Sequence, residues 1–223
     1  MHAKAGLIVG LALLAGVVAG FLLTGGSPFP AESSGLSKNA IFVSSNEDLR
    51  SQFENEKPWH AGWKDLLPEN EASLIKQYQP DKTKPMNEQV FTSIQASFDA
   101  DYQATLTSTT TVKTLHNRAV TINGFIVPLE VNDQREILSF FLVPYFGACI
   151  HFPPPAPNQM IYVRSPEGFT MDGSSDAYTI SGILQVAMFE DPVGTSAYLM
   201  DAVSIQPFSG KPDDVRDHEF QTY

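Results

Sequence analysis

The sequence predicts a mainly β protein of the α+β class, with two helices ahead of a small five-stranded OB-like barrel or a curved antiparallel sheet. Five β-branched, alternating segments lie in the C-terminal half, and glycines interrupt two of them. Gly124 and Gly182 lie inside strand-like segments, where glycine often marks a bulge or a tight barrel bend. Five strands with such bends suit a small closed barrel. An open sheet or a small sandwich would give nearly the same pattern.

The individual elements follow from the spacing of apolar residues. Residues 69–78 and 87–98 repeat apolar side chains at helical spacing, and Asn87 is a suitable cap for the second helix. Pro80 ends the first helix, because proline cannot continue it. The apolar positions of the second helix are Val90, Phe91, Ile94 and Phe98. The strand-like segments alternate with period two and cover residues 118–127, 136–143, 159–163, 178–189 and 197–206.

The N-terminus contains an uncharged run at residues 5–23 that is long enough to cross a bilayer as a helix. Lys4 precedes the run and favours an orientation with the N-terminus inside. We predict a membrane anchor, with a cleaved signal peptide as the alternative, so that the rest of the chain is exported. The resulting organisation is an anchor or signal segment at 1–23, a linker at 24–56, one globular domain at 57–208 and an acidic tail at 209–223.

Composition excludes some functions. The net charge is −11 and the pI is about 4.7, so the surface repels phosphate backbones and we expect no nucleic-acid binding. The sequence has no phosphate-binding loop, no dinucleotide-binding glycine motif, no serine nucleophile elbow and no paired cysteines. The sequence therefore favours a non-enzymatic function.

The single cysteine, Cys149, stands two residues before His151. In an extended backbone the two side chains share a face, and a thiolate with an imidazole suits zinc or copper. His116, just before the first predicted strand of the domain, is the best candidate for a third ligand. Two alternatives remain open: a thiol nucleophile with His151 as its base, or a purely structural loop with a buried cysteine.

The loop 144–159 around this motif is also a candidate protein-binding surface. Aromatic side chains supply anchors for such a surface, and a proline run gives a stiff, extended backbone. The same proline run is equally well explained as a crossover between two strands. The candidate contact residues are Tyr145, Phe146, Phe152, Pro153, Pro154, Pro155, Asn158 and Gln159. Upstream, Trp59 and Trp63 are more typical of packed residues than of a binding platform.

Several of these segments resemble one bacterial family, known as domain of unknown function 3299. The long motif FLVPYFGACIH at 141–151 is specific, and shorter matches flank it over roughly residues 60–208. The shorter matches are at 63–68, 124–129, 153–155, 158–159, 162–163, 181–184 and 197–202. The resemblance implies an exported or anchored protein of Gram-negative bacteria, associated with transport systems, some of them linked to metal supply. Many relatives carry lipoprotein-type signals, which end in a cysteine near the N-terminus, whereas the single cysteine here is Cys149.

These observations together predict a periplasmic accessory protein of a transport system, held in the inner membrane or released into the periplasm if the N-terminal segment is cleaved. Its partners would be the membrane and components of an ABC-type transporter. The domain would present the loop 144–159 to a protein or to a transition metal. The alternatives are a structural interaction module with a buried cysteine and a thiol-dependent enzyme using Cys149.

Overall fold

The protein is mixed α+β and mainly sheet in the computed structural model, which describes residues 39–79, 81, 83–148, 154–171, 173 and 175–213. The five predicted strands are all present as the last five of the described strands, which confirms their type and order. The strands are β1 Phe42–Val43, β2 Trp59–His60, β3 Arg118–Val131, β4 Ile137–Val143, β5 Ile161–Phe169, β6 Ala177–Asp191 and β7 Gly194–Pro207.

Helices precede the long strands. The described α-helices are α1 Glu47–Asn55, α2 Glu69–Gln77, α3 Met86–Phe98 and α4 Ala100–Thr105. Short 3₁₀ helices occur at Trp63–Leu66, Lys113–Leu115 and Pro157–Gln159. The predicted helices correspond to α2 and α3. None of the helices in the described part of the chain has the length and apolar character needed to span a membrane. The run at 5–23 lies outside the described residues.

Strands β3 to β7 pair in a ring. β3 is antiparallel to both β4 and β6, and β4 is antiparallel to β5. β7 is antiparallel to β6 and parallel to β5, so each of the five strands has a neighbour on both sides. Two short strands extend this arrangement, with β1 antiparallel to β7 and β2 parallel to β3. The predicted, mostly antiparallel sheet is therefore present.

The main core lies inside this ring. Phe140, Leu142, Ile161 and Tyr198 are fully buried in one cluster, together with Trp63 from the segment that precedes α2. Because side chains of a strand alternate, the intervening residues of the same strands point outward. Together with Tyr145, Ala148 and Met160 from the segment between β4 and β5, they form a second buried cluster outside the ring. Its strand residues are Phe125, Phe141, Val143 and Ala177.

Helix α1 corrects the predicted linker. The sequence assigned residues 24–56 to a linker, but Phe53 of α1 packs with Ala119, Ile183 and Val203 of β3, β6 and β7. Asn46 caps the helix, since its side-chain oxygen accepts a hydrogen bond from the Leu49 amide at 3.1 Å. The pattern missed this helix because Phe53 is its one buried side chain, which leaves little apolar periodicity to detect.

Helix α3 differs from the prediction at both its start and its orientation. It begins at Met86 with Pro85 at the N-cap position, so Asn87 is inside the helix and is not its cap. The buried residue is Ala96, whereas the predicted apolar positions are largely exposed. Their exposed fractions are 49% for Val90, 59% for Phe91, 49% for Ile94 and 86% for Phe98.

Gly182 permits the close approach of β6 and β7 at a register shift between Ser181 and Gly182. A Cβ atom at Gly182 would clash with the carbonyl oxygen of Asp201 and would lie 2.7 Å from Cγ of Met200. The carbonyl belongs to the backbone of the paired strand and cannot move without displacing the ladder. The glycine is therefore required by the packing of the two strands.

We expect Gly182→Ala to lower the free energy of unfolding by about 1–3 kcal/mol, the usual cost of overpacking. Urea denaturation followed by circular dichroism measures the change. Gly194→Ala is the matched control, because the nearest atom to its Cβ is the flexible Cε of Met160 at 3.1 Å. Equal stability losses in the two variants would contradict the assignment.

Candidate functional site

The loop 144–159 leaves the ring at the end of β4 and is fixed at its start by buried contacts. Tyr145 and Ala148 pack in the outer cluster, with exposed fractions of 8% and 0%. Between them, Phe146 is 37% exposed and meets the ring of Phe125 edge-on, with centroids 6.0 Å apart. Gly147 has φ 76°, a left-handed conformation that glycine adopts without strain. The loop therefore starts as a turn held against the outside of β3 and β4.

The end of the loop is fixed by a buried amide. Asn158 is fully buried, and its Nδ2 donates to Oε2 of Glu71 at 2.8 Å and to the carbonyl of Thr110 at 2.9 Å. Its backbone amide donates to the carbonyl of Ser108 at 3.1 Å. Next to it, Nε2 of Gln159 donates to the carbonyl of Trp63 at 3.0 Å. These bonds attach the loop to α2, to the segment after α4 and to the 3₁₀ helix at Trp63.

Glu71 is the acidic centre of this network. It is 7% exposed, and Oε1 accepts a hydrogen bond from the Ser108 hydroxyl at 2.7 Å, while Oε2 accepts the one from Asn158. A buried carboxylate is stable only when hydrogen bonds replace its hydration. Ser108 and Asn158 meet this need, so the polar network joins two segments of the chain around one charge.

The hydroxyl of Tyr198 connects β7 to two other segments at the same end of the ring. Its hydroxyl donates to the carbonyl of Leu66 at 2.8 Å and accepts from the amide of Val112 at 2.7 Å. Burial raises the pKa of Tyr198 to about 12, because the phenolate would lose its hydration. The residue thus links β7 with the two connecting segments that contain Leu66 and Val112.

The raised pKa predicts a pH dependence of stability. An unfolded tyrosine titrates at about 10, so the unfolded chain loses this proton before the folded chain does. The contribution of Tyr198 is complete below pH 10 and is lost as the pH rises towards 12. We expect the free energy of unfolding to fall more steeply over this window in the wild type than in Tyr198→Phe. Urea melts at successive pH values measure this difference, and parallel profiles would contradict it.

The predicted metal ligands are only partly within the described residues. Cys149 and His151 lie outside them. His116 is exposed, and its Nδ1 accepts a hydrogen bond from the amide of Val186 at 3.1 Å. A neutral imidazole that accepts at Nδ1 carries its proton on Nε2, so neither nitrogen offers a free lone pair in this arrangement. The described part of the chain contains no group of three His, Cys, Asp or Glu side chains placed to hold a metal ion.

The predicted partner-binding residues divide into buried and exposed sets. The side chains of Tyr145, Asn158 and Gln159 are buried and hold the loop, so they are not presented to a partner. Phe146 and Pro154 are exposed, and Pro155 is half-buried. Phe152 and Pro153 lie outside the described residues.

Trp63 is packed, as the sequence favoured. It is fully buried in the core, whereas Trp59 is half-buried against it. Trp59 also borders an open depression of about 640 Å³, whose lining includes Lys64, Val112 and Leu115.

Sequence reasoning missed Glu71, Tyr198 and Asp213. Asp213 lies in the segment predicted as an acidic tail, yet its Oδ2 accepts the amide of Trp63 at 2.8 Å. Burial raises the pKa of the Asp213 carboxyl, and the nearby Asp65 raises it further. These three residues interact with partners distant in sequence, and no local spacing signals such contacts.

A family model described as a protein of unknown function, DUF3299, matches residues 63–207. The crystal structure of a DUF3299 family protein from Pseudomonas aeruginosa PAO1 is similar to this chain at 27% sequence identity, with a TM-score of 0.51. The similarity covers 69% of this chain and 97% of that one. No curated protein matches the chain. The family match begins at Trp63 and contains the whole ring and its loop.

Proposed function

This chain belongs to the DUF3299 family of proteins of unknown function, and we propose that it is a membrane-anchored accessory protein that binds a protein partner through the loop 144–159. The observation that carries the proposal is the fixation of this loop at both ends. Tyr145 and Ala148 are buried on one side, and Asn158 and Gln159 on the other. The two ends of the loop are therefore ordered before binding, and contact residues that are already ordered lose little conformational entropy on binding, which favours affinity.

The composition of the loop 144–159 suits a protein partner. Phe146 and Pro154 are exposed on the two sides of residues 149–153, which contain Cys149, His151 and Phe152. An aromatic ring presented on a rigid backbone is a typical anchor of a protein interface. Because Nδ1 of His116 already accepts a hydrogen bond, we favour a protein partner over a zinc or copper ion.

We further propose that the ring is an OB-like barrel. The strands follow one another around it in the order β3, β4, β5, β7, β6 and back to β3, with one parallel pairing between β5 and β7. A five-stranded ring with a single parallel pair is consistent with the Greek-key connectivity of such barrels. The loop 144–159 then connects the second and third strands of the barrel.

The location of the protein is part of the same proposal. The uncharged run at residues 5–23 would anchor the chain in the inner membrane, with the domain in the periplasm. A transport system, for example an ABC-type transporter, is the partner that the sequence resemblance implies. Membrane-embedded subunits of such a system lie within reach of an anchored domain.

Site-specific photo-crosslinking tests the loop as the binding surface. We expect a photoreactive amino acid at position 146 to give one discrete adduct with a transport protein in membranes of the native cell. The matched control is the same amino acid at position 131, because Val131 is 52% exposed at the far end of β3. Pro154→Ala should reduce the yield at position 146 and leave the unfolding curve unchanged. Equal labelling from both positions, or no adduct from position 146, would contradict the proposal.

A further inference from the structure

Helix α3 presents an apolar face to solvent. Met86, Val90, Ile94 and Phe98 repeat every four residues along one side, and Phe91 flanks them. Their exposed fractions range from 49% to 86%. The buried residue of the helix is the small Ala96, and Nε2 of Gln103 in α4 donates to its carbonyl at 3.0 Å. The helix therefore packs through its small side and leaves its large apolar side chains uncovered.

The apolar face of α3 is large enough to indicate an interaction site. At roughly 200 Å² for each fully exposed large side chain, the five residues present about 600 Å² of contiguous apolar surface. The largest apolar patch of a soluble monomer is about 300–600 Å², and patches at this limit usually mark an interaction site. A standard protein interface buries about 800 Å² on each partner, so a second copy would gain less than a stable dimer requires from this face.

The charge of α3 and the proposed membrane anchor indicate what covers the apolar face of the helix. The only charged side chain of α3 is Glu88, which lies about 120° around the helix from the centre of the apolar stripe, and α3 carries no Lys or Arg. The uncharged run at 5–23 precedes the described residues, which begin at Asn39. The intervening residues 24–38 span at most about 50 Å when fully extended. If the run is an anchor, the start of the domain that carries α3 is therefore held within about 50 Å of a bilayer.

We propose that α3 binds the lipid bilayer surface, with Phe91, Ile94 and Phe98 inserted at the boundary between headgroups and acyl chains. This inference rests on the membrane anchoring proposed above. Amphipathic helices of this kind lie in the plane of the interface, and the buried apolar area drives their binding. Because α3 has no basic residue, its insertion does not depend on anionic lipids or on ionic strength. The contact fixes one orientation of the domain, and thus of its loop, relative to the membrane.

Spin-label accessibility in the full chain tests this proposal. The chain is reconstituted in phosphatidylcholine vesicles in a Cys149→Ser background, with a nitroxide at Ile94→Cys or, as a control, at Met188→Cys. Met188 is 52% exposed, close to the value for Ile94, but lies on β6. We expect the label at position 94 to collide with oxygen and to be shielded from an aqueous nickel chelate. The control label should collide with nickel. The pattern should persist at high salt, and Phe91→Ser with Phe98→Ser should abolish the shielding.

The other outcomes are distinguishable. If the chain stays with the vesicles while position 94 collides with nickel, the inference on α3 is wrong and the anchor stands. If the chain does not stay with the vesicles, the anchoring has failed and the inference fails with it. Shielding that survives in detergent, with dipolar broadening between labels, would show a second copy on this face. A repeat in a Cys149→Ala background, with a thermal melt of each variant, guards against misfolding.

Discussion

Trp63→Ala is expected to lower the free energy of unfolding by about 3–5 kcal/mol, the usual cost of truncating a buried tryptophan. Trp63 is fully buried in the core, and its Nε1 donates to the carbonyl of Asn123 at 2.8 Å. Truncation leaves a cavity and deprives a carbonyl of β3 of its partner, and both effects lower stability. Guanidinium denaturation followed by circular dichroism measures the loss.

Two further variants separate the contributions. Trp63→Phe retains most of the apolar area but removes the hydrogen bond to Asn123, so we expect an intermediate loss of stability. Trp59→Ala is the matched control, because Trp59 is half-buried and packs only at the edge of the same core. If Trp59→Ala lowered stability as much as Trp63→Ala, the assignment of Trp63 to the centre of the core would be wrong.

Asn158→Ala should lower stability by about 3 kcal/mol, because it removes two hydrogen bonds of a buried amide and leaves Glu71 with one hydrogen-bond donor fewer. The amide donates to Glu71 at 2.8 Å and to the Thr110 carbonyl at 2.9 Å. The variant also releases the end of the loop 144–159, so we expect proteases to cleave the loop faster. Urea denaturation and limited proteolysis measure the two effects. Asn87→Ala, at an exposed position of α3, is the control and should change stability by about 0.5 kcal/mol or less.

A double-mutant cycle tests whether the two residues act together. Glu71→Ala should lower stability alone, but much less in the Asn158→Ala background, with a coupling energy of about 1–3 kcal/mol. Additive losses would mean that Glu71 and Asn158 contribute independently, and that the loop end is held by its other bonds.

The local sequence determined the mainly β character of the domain and the position of its elements. The five strand segments between residues 118 and 206 show period-two patterns because one face of each strand is directed into the ring and the other outward. Gly182 marked the register shift between β6 and β7, because only glycine admits the backbone of β7 so close to β6. Trp63 was correctly read as a packed residue from its large apolar area alone. Such signals are local, and a sequence displays them directly.

Tertiary structure alone decided which residues meet. The hydrogen bond from Asn158 to Glu71 joins residues that are 87 positions apart in the sequence. The hydrogen bond from the Trp63 amide to Asp213 joins residues that are 150 positions apart. No local spacing predicts either bond. The apolar stripe of α3 also shows that a local pattern does not predict tertiary contacts. Its spacing correctly predicted a helix, but amphipathic periodicity shows only that one face avoids water. Whether that face meets the core or another apolar environment depends on the packing of the whole chain, and here α3 packs through Ala96 instead.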